Sequence, residues 1–206
     1  MLQLVLLIGG LALFTNSQAQ IATVNAWSEQ YDGNTLPGLS AAYPIGAGSN
    51  RLLVVAISAT TSTDDPVPGT ITVTWGGQTL TAQGPQNGLR GHAYLYTLSE
   101  SSIAAGAGNT LVVTVPGLAT HLRSHVFATV YSGVNQTTPV SDTDGTIDNG
   151  PDGTIDAYGG LTIAANGRGI EVLSLVSTNT TAPVLTLNGN WTAGFAAQTG
   201  TAALGY

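Results

Sequence analysis

From residue 20 onward, the chain consists of short apolar segments separated by glycine, proline, asparagine and aspartate. Apolar residues at helical spacing are almost absent. Short strands with turn residues every eight to twelve positions are typical of antiparallel sandwiches and barrels. A chain of 206 residues is long enough for one core and hardly for two. We therefore expect residues 20–206 to form a single all-β domain, an antiparallel β-sandwich of jelly-roll or immunoglobulin-like layout with roughly nine or ten strands.

Two segments show how the strands are expected to lie. The run from Leu52 to Ile57 is continuously apolar, as in a central strand that is covered on both faces. The segment Ile71–Trp75 alternates apolar and hydroxyl side chains, which indicates one buried face with Trp75 in the core. Further strands are expected at 91–98, 110–115, 122–131, 160–164, 169–177 and 184–187, with a short connecting helix at 99–105.

A glycine pair predicts a β-hairpin. Gly76 and Gly77 separate two alternating segments, and the tight turns that join paired strands need residues with positive φ. The expected pairs are Ile71 with Ala82, Thr72 with Thr81, Val73 with Leu80 and Thr74 with Thr79. Apolar residues meet on one face and threonines on the other, which favours this register.

Four segments follow one another in a recognisable order. They are Arg51-Leu-Leu-Val-Val, Thr-Trp75-Gly-Gly-Gln-Thr-Leu-Thr81, Tyr94-Leu-Tyr-Thr-Leu98 and Tyr131-Ser-Gly-Val-Asn-Gln-Thr-Thr-Pro139. In this order the segments resemble an uncharacterised β-sandwich module of secreted and surface-anchored bacterial proteins, over residues 24–206. The resemblance implies a sandwich fold outside the cell and supplies no catalytic residues.

The charge composition restricts the possible partners. The chain has four arginines, no lysine and a formal net charge of −7, so it has little with which to neutralise a phosphate backbone. We therefore expect no nucleic-acid partner. The absence of cysteine excludes disulfides, thiolate metal sites and cysteine nucleophiles. Because only 7% of the residues are charged, few charges need to lose water when threonine-, alanine- and glycine-rich sheets of different copies meet.

The apolar segment at residues 1–19 has two interpretations. It is shorter than a membrane-spanning helix of about 20 apolar residues, and Ser17 and Ala19 have the spacing of a signal peptidase site, which predicts an export signal. However, no basic residue precedes Leu2, as a signal usually requires. If the segment is retained, it is expected to add as a strand to the sheet edge of a neighbouring copy. The apolar side chains that would assemble the copies are Leu2, Leu4, Val5, Leu6, Leu7 and Ile8.

An aspartate-rich segment is the candidate metal site. Asp-Gly-Thr-Ile-Asp occurs twice at a spacing of eight residues. Ca²⁺ takes roughly six to eight oxygen ligands, which such a loop can supply, although the spacing departs from an EF-hand loop. The alternative is a solvated loop of Asx-turns. The candidate ligands are Asp142, Asp144, Asp148, Asp152 and Asp156.

Other chemistry-bearing residues give weaker signals. His121 and His125 have the spacing of a helical zinc pair, but on a strand they lie about 13 Å apart, so they are expected to be ordinary sheet histidines. Trp191 lies in a turn and is the candidate for stacking on a sugar. The sequence has no Gly-x-Ser-x-Gly nucleophile motif and no recognisable pair of catalytic acids.

These observations predict a non-catalytic extracellular or cell-surface module with a structural or adhesive role. Its expected partners are further copies of itself or cell-surface components, and membrane contact is expected only during export. One form of this function is a fibre subunit joined through the N-terminal apolar segment. The alternative is a calcium-dependent carbohydrate-binding or adhesion module that uses the aspartate-rich segment and Trp191.

Overall fold

The computed structural model describes residues 20–33, 38–61, 71–87, 90–115, 121–143, 162–163, 166–170, 172–176, 197–199 and 202–205. Within these ranges the chain forms antiparallel strands and one short helix, which confirms the predicted all-β fold. The strands are β1 (Ala22–Gly33), β2 (Leu39–Ala42), β3 (Leu52–Thr61), β4 (Thr72–Trp75), β5 (Gln78–Thr79), β6 (Thr81–Asn87), β7 (Gly91–Ser99), β8 (Thr110–Thr114), β9 (His121–Ser132), β10 (Leu173–Val176), β11 (Ala197–Thr199) and β12 (Ala202–Gly205). The helix α1 (Glu100–Ala105) follows β7, close to its predicted position.

The strands form two large sheets and one small sheet. The five-stranded sheet has the order β1-β9-β3-β7-β6, and the four-stranded sheet has the order β2-β8-β4-β5. The two large sheets together contain nine strands, five plus four, as expected from the spacing of the turns. The three-stranded sheet has the order β10-β12-β11. The strands β1 and β2 were not predicted from the sequence, and the expected strand at 184–187 lies outside the described residues.

The two large sheets share one hydrophobic core, which gives the fold its sandwich-like character. Trp75 is only 4% exposed, so its predicted place in the core is confirmed. Its indole nitrogen donates a hydrogen bond of 2.8 Å to the carbonyl oxygen of Tyr43, and the Tyr96 hydroxyl donates one of 3.2 Å to the carbonyl oxygen of Ile71. The core includes Leu53, Val55, Ile57, Tyr94, Tyr96, Val126, Ala128 and Val130 from the five-stranded sheet and Val73, Trp75, Leu111 and Val113 from the four-stranded sheet.

The outer face of the five-stranded sheet is covered as well. All ten residues of β3 are buried, so the prediction of a central strand with two covered faces is confirmed. On the outer face, Trp27 from β1 and the segment around Ile170 and Val172 pack against the sheet. The Ser174 hydroxyl donates a hydrogen bond of 3.1 Å to the carbonyl oxygen of Ala59, so β10 is attached to the centre of the sheet.

The predicted hairpin forms, but it is shorter than expected. Gly76 and Gly77 have φ values of 54° and 79°, as the turn requires. Thr74 pairs with Thr79 as predicted, and the Leu80 N–H donates a hydrogen bond of 2.9 Å to the Val73 carbonyl oxygen.

The pairs Ile71 with Ala82 and Thr72 with Thr81 are wrong. After Leu80 the chain crosses to the other sheet, where Thr81 pairs with Thr97 and Ala82 with Tyr96 of β7. Because β7 has nine residues and β4 only four, the crossing segment can form more main-chain hydrogen bonds along β7.

The two turn glycines differ in their surroundings. The Gly76 N–H donates to the Thr110 carbonyl oxygen at 3.0 Å, and the Ala107 N–H donates to the Gly76 carbonyl oxygen at 2.8 Å. A Cβ atom on Gly76 would lie 3.1 Å from the Gly106 Cα atom, whereas a Cβ atom on Gly77 would have nothing within 4 Å. Only Gly76 is therefore held against the loop that follows α1.

We expect Gly76→Ala to destabilise the protein more than Gly77→Ala. Both substitutions place alanine at positive φ, which costs about 1 to 2 kcal/mol, but only Gly76→Ala also pushes a methyl group into backbone atoms. The expected losses in the free energy of unfolding are about 3 kcal/mol or more for Gly76→Ala and about 1 to 2 kcal/mol for Gly77→Ala. Urea denaturation of both variants measures the difference. Equal losses would contradict the close approach of the turn to the loop.

Candidate functional site

A charged cluster joins β1 to β9 at one end of the five-stranded sheet. Glu29 and Asp32 lie on β1, and Arg123 and His125 lie on β9. Arg123 Nε donates a hydrogen bond of 2.6 Å to Asp32 Oδ1, and Arg123 Nη2 donates to Asp32 Oδ2. His125 Nδ1 lies 2.7 Å from Glu29 Oε1 and 3.5 Å from Asp32 Oδ1. One imidazole nitrogen therefore faces two carboxylates.

A β-bulge places both carboxylates on the same face of the sheet. Glu29 and Asp32 are three residues apart, and residues at an odd spacing on a regular strand point to opposite faces. In β1, Glu29 pairs with Phe127 while Asp32 pairs with His125, and the register shifts between Glu29 and Tyr31. The bulge adds one residue to β1 that has no partner on β9. Glu29 and Asp32 therefore point to the same side as their partners Phe127 and His125, which is the outer face of the sheet.

The histidine at the centre of the cluster is buried, whereas its carboxylate partners reach solvent. The side chain of His125 is 3% exposed, and those of Glu29 and Asp32 are 28% and 35% exposed. The imidazole stacks on the Phe127 ring with 6.0 Å between the centroids and 5° between the planes. These contacts hold His125 Nδ1 in place while water can reach the two acids.

Two polar atoms behind the cluster make no hydrogen bond to any part of the chain that the structure describes. They are His125 Nε2 and the Ser58 hydroxyl oxygen, both of them buried. Ser58 is the residue on β3 that pairs directly with His125. Buried polar groups usually have a partner, so this pair of atoms needs an explanation.

Arg123 governs the ionisation of Asp32. The hydrogen bond from the Arg123 guanidinium lowers the pKa of Asp32 below its ordinary value, and the nearby charges of His125 and Arg123 act in the same direction. Burial opposes these effects by raising the pKa of the carboxyl group. In return, Asp32 raises the pKa of Arg123. Asp32 is therefore a carboxylate throughout the physiological pH range.

A second ion pair lies at the opposite end of β3. Arg51 donates from its backbone N–H to Glu100 Oε2 at 2.7 Å and from Nε to the same oxygen at 2.9 Å. Gln136 Oε1 accepts a hydrogen bond of 2.9 Å from the Glu100 N–H, and Gln136 Nε2 donates one of 3.2 Å to the Arg51 carbonyl oxygen. This network ties the start of β3 to α1 and to the segment after β9, so its role is structural.

The donor atoms of the first cluster are close enough to hold a metal ion. One carboxylate oxygen of Glu29, one of Asp32 and one ring nitrogen of His125 all lie within 4.8 Å of one another. This group was not predicted from the sequence, because the bulge that aligns the two acids has no residue signature. His121 and His125 do lie on one strand, as predicted, but the residues that face His125 Nδ1 come from β1.

Most of the site residues predicted from the sequence lie outside the described residues. These are Asp144, Asp148, Asp152, Asp156, Trp191 and the assembly residues Leu2, Leu4, Val5, Leu6, Leu7 and Ile8. Asp142 is described, and its Oδ2 accepts a hydrogen bond of 2.9 Å from the Thr162 N–H. The calcium, sugar-binding and assembly sites stay predictions.

Comparisons with protein-family models, with curated proteins and with solved structures found no match to this chain. In the described ranges, no helix has the length and apolar character needed to cross a membrane. The function has to be inferred from the chain's own residues.

We expect the coupling between Asp32 and Arg123 to disappear in acid. Because the pKa of Asp32 is lower in the folded protein than its ordinary value of 3.8, the stability that ionised Asp32 contributes is complete above pH 3.8. This stability is lost as the pH falls through the folded pKa. A double-mutant cycle of Asp32→Asn and Arg123→Gln by urea denaturation should give a coupling of about 1 kcal/mol at pH 7, since both groups are partly exposed. A coupling that stays the same from pH 7 into the acid range would contradict the ion pair.

Proposed function

We propose that the chain is a non-catalytic structural or adhesive β-sandwich module that acts outside the cell and associates with further copies of itself. The observation that carries the proposal is the regular, uncharged edge of the four-stranded sheet, formed by β2. This edge offers main-chain hydrogen-bonding groups to another strand.

The use of charged side chains supports a structural role. Asp32 pairs with Arg123 and Glu29 with His125, and both pairs join β1 to β9. Glu100 pairs with Arg51 and joins α1 to the start of β3. Each of these pairs holds two elements of the fold together, which is the arrangement expected where strands must resist separation.

The edges of the two large sheets differ in regularity. On the five-stranded sheet, β1 has three register shifts and β6 has one. Such bulges hinder the addition of another strand at an edge. On the four-stranded sheet, β2 pairs with β8 from Leu39–Val113 to Ala42–Thr110 without any shift. The opposite edge strand, β5, has only two residues. Among the described edges of the two large sheets, β2 is therefore the best suited to accept a strand.

Two backbone N–H groups of β2 point away from β8, as the pairing of the two strands shows. The Tyr43 N–H donates a hydrogen bond of 2.7 Å to the Asn109 carbonyl oxygen. Along a strand of an antiparallel pair, successive N–H groups point alternately toward the partner strand and away from it. Since the Tyr43 N–H points toward β8, those of Ser40 and Ala42 point away from it. Both side chains are small, uncharged and exposed. An incoming strand can therefore approach without displacing a charge.

The proposed occupant of this edge is the apolar segment of a second copy. Its residues 2–8 reach about 23 Å when extended, more than the length of β2. Each buried leucine, valine or isoleucine side chain can contribute about 1.5 to 3 kcal/mol. The added strand would satisfy main-chain groups at both partners, as in strand addition between other proteins.

The test combines a deletion with a matched pair of edge variants. Residues 1–14 are removed from the purified, already exported protein, and assembly is followed by electron microscopy and analytical ultracentrifugation. Ala42→Lys places a charge on the β2 edge, whereas Thr114→Lys places the same charge on the interior strand β8, where Thr114 pairs with Thr72. We expect the parent and Thr114→Lys to form polymers, and the deletion and Ala42→Lys forms to stay monomeric.

Three results would contradict this assembly. If the deleted form still polymerises, the apolar segment is not the added strand. If the full-length protein is always monomeric, the module does not assemble through its edge, and the apolar segment is an ordinary export signal. Equal effects of Ala42→Lys and Thr114→Lys would show that added charge, and not the edge position, prevents assembly.

A further inference from the structure

We propose that Glu29, Asp32 and His125 bind one divalent transition-metal ion of the zinc class, which joins β1 to β9. Their three donor atoms lie within 4.8 Å of one another, on two neighbouring strands. The proposal concerns residues that the assembly through β2 does not use, so each can fail without the other.

The donor set fits zinc better than calcium. Zn²⁺ binds imidazole nitrogen and carboxylate oxygen at about 2.0 to 2.2 Å, with four ligands in a tetrahedron. Ca²⁺ prefers roughly six to eight oxygens, and the site supplies a nitrogen and two carboxylates. His125 Nδ1 and Glu29 Oε1 are 2.7 Å apart, a hydrogen-bond distance. A tetrahedral ion would separate them to about 3.3 Å, a small movement for the partly exposed Glu29 side chain.

The surroundings of His125 resemble those of a metal-binding imidazole. The ring is buried and stacked on Phe127, so Nδ1 is held toward the two carboxylates. A histidine that binds a metal through one nitrogen usually donates a hydrogen bond from the other. With the ion on Nδ1, the proton of the neutral ring would reside on Nε2, and Ser58 is the residue of β3 that pairs with His125 in the sheet. Neither Nε2 nor the Ser58 hydroxyl oxygen has a hydrogen-bond partner among the described residues of the metal-free protein.

Arg123 is the competing cation at the site. Its guanidinium contacts both oxygens of Asp32, so an ion must share Asp32 with it. Two carboxylates and one guanidinium leave one net negative charge, which limits the attraction for a dication. Replacing Arg123 should therefore strengthen metal binding while it weakens the ion pair. A cluster that only forms salt bridges would lose stability on this replacement and gain no metal affinity, so the increase in affinity distinguishes the two.

The test is isothermal titration calorimetry of the untagged full-length protein with ZnCl₂, after treatment with EDTA and its removal. We expect one Zn²⁺ per chain, a rise in the thermal midpoint that grows with Zn²⁺ concentration, and no comparable effect of Ca²⁺. Glu29→Gln keeps the size of the side chain and should weaken binding roughly tenfold or more. Arg123→Gln should strengthen it severalfold. His121→Ala, which removes the other histidine of β9, is the matched control and should bind as the parent does.

Three outcomes would overturn the site. The first is the absence of Zn²⁺ binding to the parent protein. The second is unchanged affinity in Glu29→Gln, and the third is an equal loss in His121→Ala, which would indicate that the ion binds outside the cluster. Each variant is also examined by circular dichroism without metal, so that a misfolded variant is recognised and replaced by Asp32→Asn.

Discussion

The fold depends on covering both faces of β3. All ten residues of this strand are buried, and it pairs with β7 on one side and β9 on the other. Its inward side chains pack with the four-stranded sheet and form the largest hydrophobic cluster of the protein's described residues. Its outward side chains need a second cover, which Trp27 and the segment around Ile170 and Val172 supply. Because apolar burial is the main favourable contribution to folding, the rest of the structure is arranged around this strand.

Charged side chains lie beside the two ends of the central strand β3. Arg51 and Glu100 pair beside its first residue, and Arg123 and Asp32 pair near its last residues. Between these ends the sheet contains few polar side chains, in keeping with a chain of which 7% is charged. Ser58 and His125 are two of the buried polar residues of this sheet, and they lie near the pair of Arg123 and Asp32. Buried polar groups are costly unless they have a partner, and the proposed ion would be a partner for His125 Nδ1 and the two carboxylates beside it.

One irregularity links the two proposals. The register shifts in β1 make this edge a poor acceptor of another strand, and the last of them also brings Glu29 and Asp32 to the same face. The regular strand β2, on the other sheet, keeps its outward N–H groups available. A metal ion on the irregular edge would strengthen the join between β1 and β9, while copies associate through the regular edge. Under the two proposals, the two edges of the fold have separate roles.

Local sequence patterns were enough to predict the strand class, the buried central strand, the turn at Gly76 and Gly77, and the pairing of Thr74 with Thr79. These features depend on side-chain periodicity and on φ preferences, which act over a few residues. The crossing after Leu80 depended instead on the free edge of β7, which becomes available only when the sheets form. The cluster of Glu29, Asp32 and His125 likewise required both a bulge and the pairing of β1 with β9. Residues 96 positions apart in the chain, such as Glu29 and His125, are brought within hydrogen-bond distance only by tertiary structure.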